Sequence, residues 1–318
     1  MSIQHEKNAH EDAVWACSFL ENRSLVTGSV SGSLKLWDTS TMTLKQSIDS
    51  FLTLGIADIQ ATSNFFGVFS LESVLKFFSN DGTHLATKKC EPLDSWGISI
   101  AQDESFVSTG SQAGFVSIIP LDMERNIGNQ KIVMEFGDIV RLSPTSSIQN
   151  LQRLGGSFVM ATSIAPDCVH VASGTAGGQV HIYDVQEKEF ETALDSYSSR
   201  IRALAWSPDS RLLYTGSDDT HIRIFDRRSG TTITSLVAQP SWVLSLDAGD
   251  NYFVSSSTSG LVHVWDVRMR EVVQVINPHS GHAVWKAKLN ASEDMVAAVC
   301  DDHSISVTNV SVSGMKAL

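Results

Sequence analysis

The chain has 318 residues, which suffices for two ordinary domains or for one large β architecture. Hydrophobic residues make up 42% and charged residues 18% of the chain, and this composition excludes a disordered or collagen-like protein. The chain has 23 lysines and arginines against 35 aspartates and glutamates, a net charge of −12 that would repel nucleic-acid phosphates, so we expect no direct nucleic-acid binding.

The cysteines and the first residues of the chain indicate a protein that stays inside the cell. The four cysteines lie far apart without a CxxC pair, so we expect buried thiols in a reducing compartment rather than disulfides or zinc ligands. The first seven residues are polar and lack the apolar core of a signal peptide. No run approaches the 18 or more apolar residues of a membrane span, and we expect a soluble chain.

A short phrase recurs along the chain: alternating apolar residues, then an aromatic residue, then Asp. Clear copies are LKLWD (34–38), VHIYD (180–184), IRIFD (222–226) and VHVWD (262–266), and degenerate copies end at residues 79, 120 and 309. Successive copies are 41, 41, 64, 42, 40 and 43 residues apart. A period near 41 is the length of one four-stranded propeller blade, so seven copies predict seven blades.

The residues before each phrase have the pattern of short antiparallel strands. Before the copy at 222–226, an alternating stretch at 201–206 is followed by a Ser-Pro-Asp-Ser turn and a second stretch at 212–215. Alternation with period two, broken by Gly, Asp, Asn and Pro, indicates strands, and no stretch has a convincing helical period. The sequence therefore predicts an all-β chain.

These repeats resemble those of the WD-repeat family, whose members fold as β-propellers around a central channel. The resemblance covers the whole chain and implies a single seven-bladed propeller over residues 1–318. In this family the N-terminal strand completes the last blade, a role that falls here to residues 2–7. The expected blades are 8–48, 49–89, 90–130, 152–194, 195–236, 237–277 and 278–312.

The family often braces each blade with a His before the first strand, a Ser or Thr on the second, a Trp on the third and an Asp in a tight turn. In blade one we assign His10, Ser29 and Trp37 to this network, and in blade seven His282 and Asp302. No blade has all four residue types, so the seven copies have diverged.

Residues 126–151 account for the long interval between the third and fourth copies. This segment is rich in Gln, Ser and Asn but contains the apolar stretch 132–136. It could be a surface excursion whose apolar part extends the outer strand of blade three, or a docking element for a partner. Because loops tolerate insertions, the segment alone decides neither.

Catalytic motifs are not found in the sequence. There is no phosphate-binding GxxxxGK[ST] loop, no GxGxxG after a strand, no HExxH and no GxSxG. His181, His221 and His263 share one position of the repeat, and recurrence of this kind indicates a structural role. We expect no enzymatic activity, no cofactor and no metal site.

The best candidate for a binding surface is the set of residues that occupy one equivalent position in the first strands of the blades, near the channel mouth. Four tryptophans near one mouth would form an aromatic surface of the kind that anchors binding partners, with Arg202 pairing to a carboxylate or carbonyl. Alternatively, the tryptophans fill wedges between blades. The residues assigned to this top rim are Trp15, Trp96, Met160, Arg202, Trp242, Leu244 and Trp285.

Several stretches narrow the resemblance to the family of the superkiller-complex WD-repeat subunit. They are AHEDAVW (9–15), IRALAWSPDS (201–210), SWVLS (241–245), YFVSSS (252–257) and VWDV (264–267). The resemblance implies a scaffold, monomeric as a propeller, that binds tetratricopeptide-repeat and helicase subunits. It would act in exosome-mediated mRNA decay or in the RNA polymerase II-associated factor complex, which places it in the cytoplasm and nucleus.

The sequence leaves two other functions open. Trp265, Asp266 and Arg268 resemble the box by which some WD-repeat proteins bind the adaptor of cullin-4 ubiquitin ligases, which would make the chain a substrate receptor. A propeller that acts as an enzyme or as a sensor of small ligands would instead use the channel mouth as its pocket.

Overall fold

The alternating stretches of the sequence form antiparallel strands throughout. The computed structural model describes residues 3–20, 23–48, 52, 54–90, 96–112, 114–125, 132–137, 139–142, 157–194, 197–237, 241–279 and 281–310. Its strands form seven separate sheets, six of four strands and one of five. The all-β, seven-bladed propeller predicted from the repeats is confirmed.

Strands are numbered in chain order, and each blade runs from an inner strand to an outer one. Blade one contains β2 (Val14–Leu20), β3 (Ser24–Ser29), β4 (Leu34–Asp38) and β5 (Thr43–Ile48). Blade two contains β6 (Ile56–Ala61), β7 (Phe65–Ser70), β8 (Val74–Ser79) and β9 (His84–Lys89). Blade three contains β10 (Ile98–Ile100), β11 (Phe106–Gly110), β12 (Val116–Arg125), β13 (Ile132–Phe136) and β14 (Val140–Leu142). Blade four contains β15 (Val159–Ile164), β16 (His170–Thr175), β17 (Val180–Asp184) and β18 (Glu189–Leu194). Blade five contains β19 (Ile201–Trp206), β20 (Leu212–Ser217), β21 (His221–Asp226) and β22 (Thr231–Val237). Blade six contains β23 (Val243–Ala248), β24 (Tyr252–Ser257), β25 (Val262–Asp266) and β26 (Val272–Ile276). Blade seven contains β27 (Val284–Leu289), β28 (Met295–Cys300), β29 (Ile305–Asn309) and, as its outer strand, β1 (Ile3–Glu6).

The blades form a closed ring. Each inner strand contacts the inner strand of the next blade, and β27 of blade seven contacts β2 of blade one. The ring is closed by β1, which pairs antiparallel with β29 from Ile3 opposite Thr308 to Glu6 opposite Ile305. Closure of this kind leaves no blade face without a neighbour.

The hydrophobic core is divided among the seven interfaces between blades. Each of the seven buried clusters combines residues of two adjacent blades, as Leu36 of blade one and Phe66 of blade two do in one of them. A single twisted sheet cannot bury both of its faces, whereas a ring of sheets buries both faces of every blade. The apolar alternation on both faces of the strands therefore requires the ring.

A glycine on the second strand lets neighbouring blades approach closely. A Cβ atom added to Gly28 would lie 2.6 Å from Ile56 Cγ2 of blade two, and one added to Gly216 would lie 2.6 Å from Val243 Cγ1 of blade six. Real Cβ atoms do not approach other carbons so closely. The recurring Gly therefore allows a β-branched residue of the next inner strand to pack against the sheet.

The outer strand of blade three lies within the segment 126–151. The long strand β12 pairs with β13 through its second half and with β14 through its first half. The buried side chain of Met134 and the ring of Phe136 pack against blade two, where the centroid of Phe136 lies 5.8 Å from that of Phe77. Blade three therefore extends to Leu142 rather than ending at residue 130, because its outer strand is formed by this apolar stretch; residues 126–131 and 143–151 lie outside the described residues.

Two of the blade braces differ from the sequence assignment. In blade one, His10 bonds through Nε2 to Thr27 Oγ1 (2.7 Å), which also accepts a hydrogen bond from Trp37 Nε1 (2.8 Å), so Thr27 takes the place assigned to Ser29. In blade seven the buried histidine is His279 rather than His282, and its Nδ1 lies 2.7 Å from Ser304 Oγ.

The cysteines are free thiols. Cys17, Cys90 and Cys300 are buried, and burial raises the pKa of Cys17 and Cys300 to about 12 and that of Cys90 to about 11. At neutral pH these three are protonated, so they are not nucleophiles. Within the described ranges we find no helix long and apolar enough to cross a membrane.

Candidate functional site at the channel mouth

The antiparallel order of the strands determines which residues meet at each end of the channel. The inner strand of each blade begins at one end of the propeller, here called the rim end. The second strand runs back toward it, so the turn between second and third strands lies at the rim end as well. The turn between third and fourth strands lies at the opposite end, here called the base end.

Six of the seven predicted rim residues line one cavity of about 240 Å³ in the central channel. Trp242 does not line this cavity but lies beside it, against Arg202. The six residues that line it are Trp15, Trp96, Met160, Arg202, Leu244 and Trp285.

Three tryptophans from different blades meet at the mouth, where the central Trp15 contacts both Trp96 and Trp285, and we call these three residues the Trp cluster. Trp15 of blade one stacks on Trp96 of blade three, with 5.9 Å between ring centroids, and lies 5.2 Å from Trp285 of blade seven. Trp96 also meets the ring of Phe158 at 6.4 Å. Blade two lies between blades one and three and carries the small Ala57 at this register, which leaves room for Trp15 to reach Trp96.

The indole nitrogens of the Trp cluster differ in their hydrogen bonds. Trp285 Nε1 donates to Asp301 Oδ1 (3.1 Å) in the rim-end turn of blade seven. Trp15 Nε1 is buried and has no hydrogen-bond partner among the described residues. The position of blade one that corresponds to Asp301 is Val30, as their equivalent backbone bonds to Ala13 and Ala283 indicate, and Val30 has no side-chain acceptor.

The charge of Arg202 is already neutralised within the chain. Its Nε and Nη2 donate to the two carboxylate oxygens of Asp218, the Nη2 bond being 3.1 Å long. Its guanidinium lies 5.0 Å from the ring centroid of Trp242. Arg202 was predicted to pair with a carboxylate or carbonyl of a partner, but here it forms an internal ion pair that positions Trp242. The sequence feature that could have indicated this ion pair is Asp218, one residue past the second strand of the same blade.

The predicted rim residues differ in how much of each side chain is exposed to solvent. Trp96 is 40% exposed and Trp242 is 46% exposed, which are high values for the largest apolar side chain. Trp15, Trp285 and Met160 are partly buried, and Leu244 is buried. Among the seven predicted rim residues, the exposed apolar surface is therefore chiefly that of Trp96 and Trp242.

Below the Trp cluster, two ion pairs cross between inner strands. Lys286 Nζ lies 2.7 Å from Asp58 Oδ1 and thereby connects blade seven to blade two, and Lys288 Nζ lies 2.8 Å from Asp247 Oδ1. No motif of the sequence points to these four residues, although each follows or lies near a rim position on an inner strand. The paired charges leave the channel wall polar but nearly neutral.

The ligase-adaptor box lies at the base end. Trp265 is buried and donates from Nε1 to Ser255 Oγ (3.0 Å), while Asp266 Oδ1 accepts from the backbone nitrogens of Arg268 (2.8 Å) and Met269 (2.7 Å). Asp184 makes the equivalent turn bonds in blade four. Arg268 is the one residue of the box whose side chain is exposed.

The rim offers apolar contact and hydrogen bonds rather than catalytic groups. The carboxylates named above are engaged in ion pairs or in an indole bond, and among the described residues no trio of metal-ligating side chains lines the channel cavity. An arrangement of exposed aromatic rings held by internal salt bridges is suited to binding a partner chain.

Comparison with known proteins gives several matches. A family model described as nucleolar protein 10-like, N-terminal domain, matches residues 59–246, and a model of the WD domain, G-beta repeat, matches residues 1–38 and 230–266. WD repeat-containing protein SL1-17 of Schistosoma mansoni is 31% identical over 237 residues, which are 72% of this chain and 71% of that protein. WD repeat-containing protein VIP3 of Arabidopsis thaliana is 27% identical over 76% of this chain and 75% of its own. Ribosome biogenesis protein YTM1 of Scheffersomyces stipitis is 28% identical over 60% of this chain and 42% of its own.

Proposed function

The chain belongs to the WD-repeat family of propeller proteins, and from this premise we propose that it is a non-enzymatic scaffold that binds protein partners at its rim end. The assembly we propose is the superkiller complex or the RNA polymerase II-associated factor complex, on the resemblance of stretches such as AHEDAVW (9–15) and SWVLS (241–245). The partners would be tetratricopeptide-repeat and helicase subunits, in the cytoplasm and the nucleus. Because one of its relatives is a ribosome biogenesis protein, the main alternative to these two complexes is a nuclear assembly of another kind.

The observation that carries the proposal is the exposure of Trp96 and Trp242 on a rigid ring. Burying the exposed parts of two tryptophans stabilises a complex by a few kcal/mol, because aromatic anchors contribute both apolar area and ring contacts. Trp96 is held by Trp15 and Phe158, and Trp242 by Arg202. Since these rings are already ordered, little side-chain entropy is lost on binding.

The test is affinity purification of the tagged chain from its own cells beside the double variant Trp96→Ala, Trp242→Ala. Trp15 is left intact because it is the central ring of the Trp cluster, and its removal would open a cavity. The matched control is Met269→Ala, which removes a 65% exposed apolar side chain at the base end. Circular dichroism and thermal unfolding verify that the wild type and both variants are folded.

We expect the wild type and Met269→Ala to recover a helicase and a tetratricopeptide subunit, and the double variant to lose them. A double variant that retains every partner would refute the rim as the binding surface. Recovery of ribosome biogenesis factors instead, still dependent on Trp96 and Trp242, would keep the rim and replace the proposed assembly.

A second candidate is a substrate receptor of a cullin-4 ubiquitin ligase, favoured by the exposure of Arg268 on the turn that Asp266 caps. Asp184 makes an equivalent turn in blade four, so the turn geometry itself is a property of the repeat. The distinguishing test is Arg268→Ala. A cullin adaptor that co-purifies with the wild type and is lost with Arg268→Ala, while the Trp96, Trp242 variant retains it, would establish this function.

A further inference from the structure

Away from the channel cavity, a cluster of titratable side chains lies where β1 closes the ring. It combines His5 of β1, the buried His279 in the segment that leads into blade seven, and Asp302 in the turn before β29. We propose that these three residues form a binding site for a divalent transition-metal ion, with Zn²⁺ as the ion expected in the cell. Two imidazoles and a carboxylate are a donor set that suits Zn²⁺ better than Ca²⁺ or Mg²⁺.

The donor atoms are already close. One nitrogen of each histidine and one carboxylate oxygen of Asp302 all lie within 4.8 Å of one another. Zn²⁺ bonds of about 2.0–2.2 Å place tetrahedral ligand atoms roughly 3.3 Å apart, so the donors need to move inward by about 1.5 Å at most. His279 is fully buried and fixed, whereas His5 lies on a four-residue strand and Asp302 in a turn.

His5 provides an independent observation. Its Nε2 is buried and has no hydrogen-bond partner among the described residues, and its ring meets that of His279 edge to face, with 5.2 Å between centroids. A buried polar atom without a partner costs about 1–3 kcal/mol. A cation bound to the Nε2 lone pair would remove this cost, which a purely structural role for His5 leaves unexplained.

The hydrogen bonds of His279 are compatible with an ion. Its Nδ1 lies 2.7 Å from Ser304 Oγ and its Nε2 lies 3.1 Å from Ser306 Oγ. A neutral imidazole has one N–H and one lone pair, so one of these serines donates to the ring. The ion takes that lone pair in place of the hydroxyl proton, and the other serine continues to orient the ring as an outer partner does in known zinc sites.

An ion bound at this site would add a bond between β1 and the rest of blade seven. The ring is closed by four residue pairs between β1 and β29, and His5 itself lies opposite Ser306. An ion that bridges His5 to His279 and Asp302 binds the closed ring only, and it therefore stabilises the folded chain by an amount that rises with the logarithm of the ion concentration above Kd. The residues come from opposite ends of the chain, so the sequence alone does not indicate the site.

The experiment uses the full chain and Co²⁺, whose visible absorption identifies a tetrahedral site, followed by displacement with Zn²⁺. The variants are His5→Ala and Asp302→Asn, and the control is His84→Ala, which removes an exposed histidine of blade two. Thermal unfolding with EDTA and with Zn²⁺ is measured for each. Asp302→Asn retains most of the shape of the turn, so it tests the site even where His5→Ala alters β1.

We expect one Co²⁺ per chain with tetrahedral absorption, an increase in Tm with Zn²⁺, and at least a tenfold loss of affinity in both His5→Ala and Asp302→Asn. His84→Ala should bind as the wild type does. A wild type that shows no tetrahedral Co²⁺ absorption, or variants that bind Co²⁺ as tightly as the wild type, would overturn the proposal.

Discussion

Trp15 and Val30 illustrate how a replacement at one position of a repeat leaves a polar atom without a partner. In blades five and seven the residue after the second strand is an aspartate, and it accepts a hydrogen bond from Arg202 or Trp285 on the inner strand. In blade one this residue is Val30, and Trp15 Nε1 remains buried without an acceptor among the described residues. The defect lies at the centre of the Trp cluster.

We predict that Val30→Asp stabilises the chain by about 1 kcal/mol, because the carboxylate gives Trp15 Nε1 an acceptor and repeats the geometry of Asp301. The measurement is the free energy of unfolding in urea. The control is Thr258→Asp, the corresponding change in blade six, where the inner-strand residue is Leu244 and has no N–H in its side chain. Equal effects of the two substitutions would refute the explanation.

His10 makes the stability of blade one depend on pH. Burial, with a smaller contribution from the charge of Lys35, lowers the pKa of His10 to about 3, so the folded chain holds this ring neutral. In the unfolded chain the pKa is about 6.5, and therefore the unfolded state takes up a proton as the pH falls below 6.5 while the folded state does not. The stabilisation is fully present above pH 6.5 and is lost progressively toward pH 3.

The expected loss from His10 is about 2 kcal/mol between pH 7 and pH 5. His10→Gln should reduce this part of the slope of unfolding free energy against pH, while His84→Gln, which alters an exposed histidine, should retain it. Denaturant unfolding at several pH values measures the slope. A slope unchanged in His10→Gln would contradict the assignment.

At the scale of strands, the recurring phrase predicts the third strands closely. LKLWD and VHVWD coincide with β4 and β25, and even the degenerate copy that ends at residue 309 coincides with β29. Alternation succeeds because each third strand is buried on both faces between two blades, which constrains every residue in it. The rim register was equally accessible, since it requires only counting from the first strand of each blade.

The braces and ion pairs could not be predicted in the same way. Thr27 and Ser29 are two residues apart on β3 and point to the same face, so the sequence does not tell which one His10 reaches. His279 and His282 lie in a connecting segment whose path sets which ring enters the blade. The pair of Lys286 and Asp58 joins blades seven and two across the channel, a contact that no local pattern encodes.

The outer strand of blade three allows a test of the segment 126–151. Met134→Ala is expected to destabilise the chain by about 3 kcal/mol, because it leaves a cavity between blades two and three, where Met134 packs near Phe77. Glu135→Ala, which alters the exposed neighbour on the same strand, should change stability by less than about 0.5 kcal/mol. Urea unfolding measures both, and equal small effects would favour a docking element over a structural strand.

At the scale of the whole molecule, the propeller separates two candidate surfaces. The rim end presents Trp96 and Trp242, and the base end presents Arg268 and Met269. The antiparallel order of strands places them at opposite mouths of the channel. A scaffold with two ends can hold two partners at once, and each surface can be altered without changing the other.

The measurement that tests the central claim most directly is photo-crosslinking in the protein's own cells, with a photoreactive amino acid at position 54 or at position 269. Leu54 is 53% exposed and lies just before β6 at the rim end, so its replacement leaves Trp96 and Trp242 intact. If partners bind at the rim end, position 54 yields a defined crosslinked subunit and position 269 does not. Crosslinks to the same subunit from position 269, with none from position 54, would contradict the account.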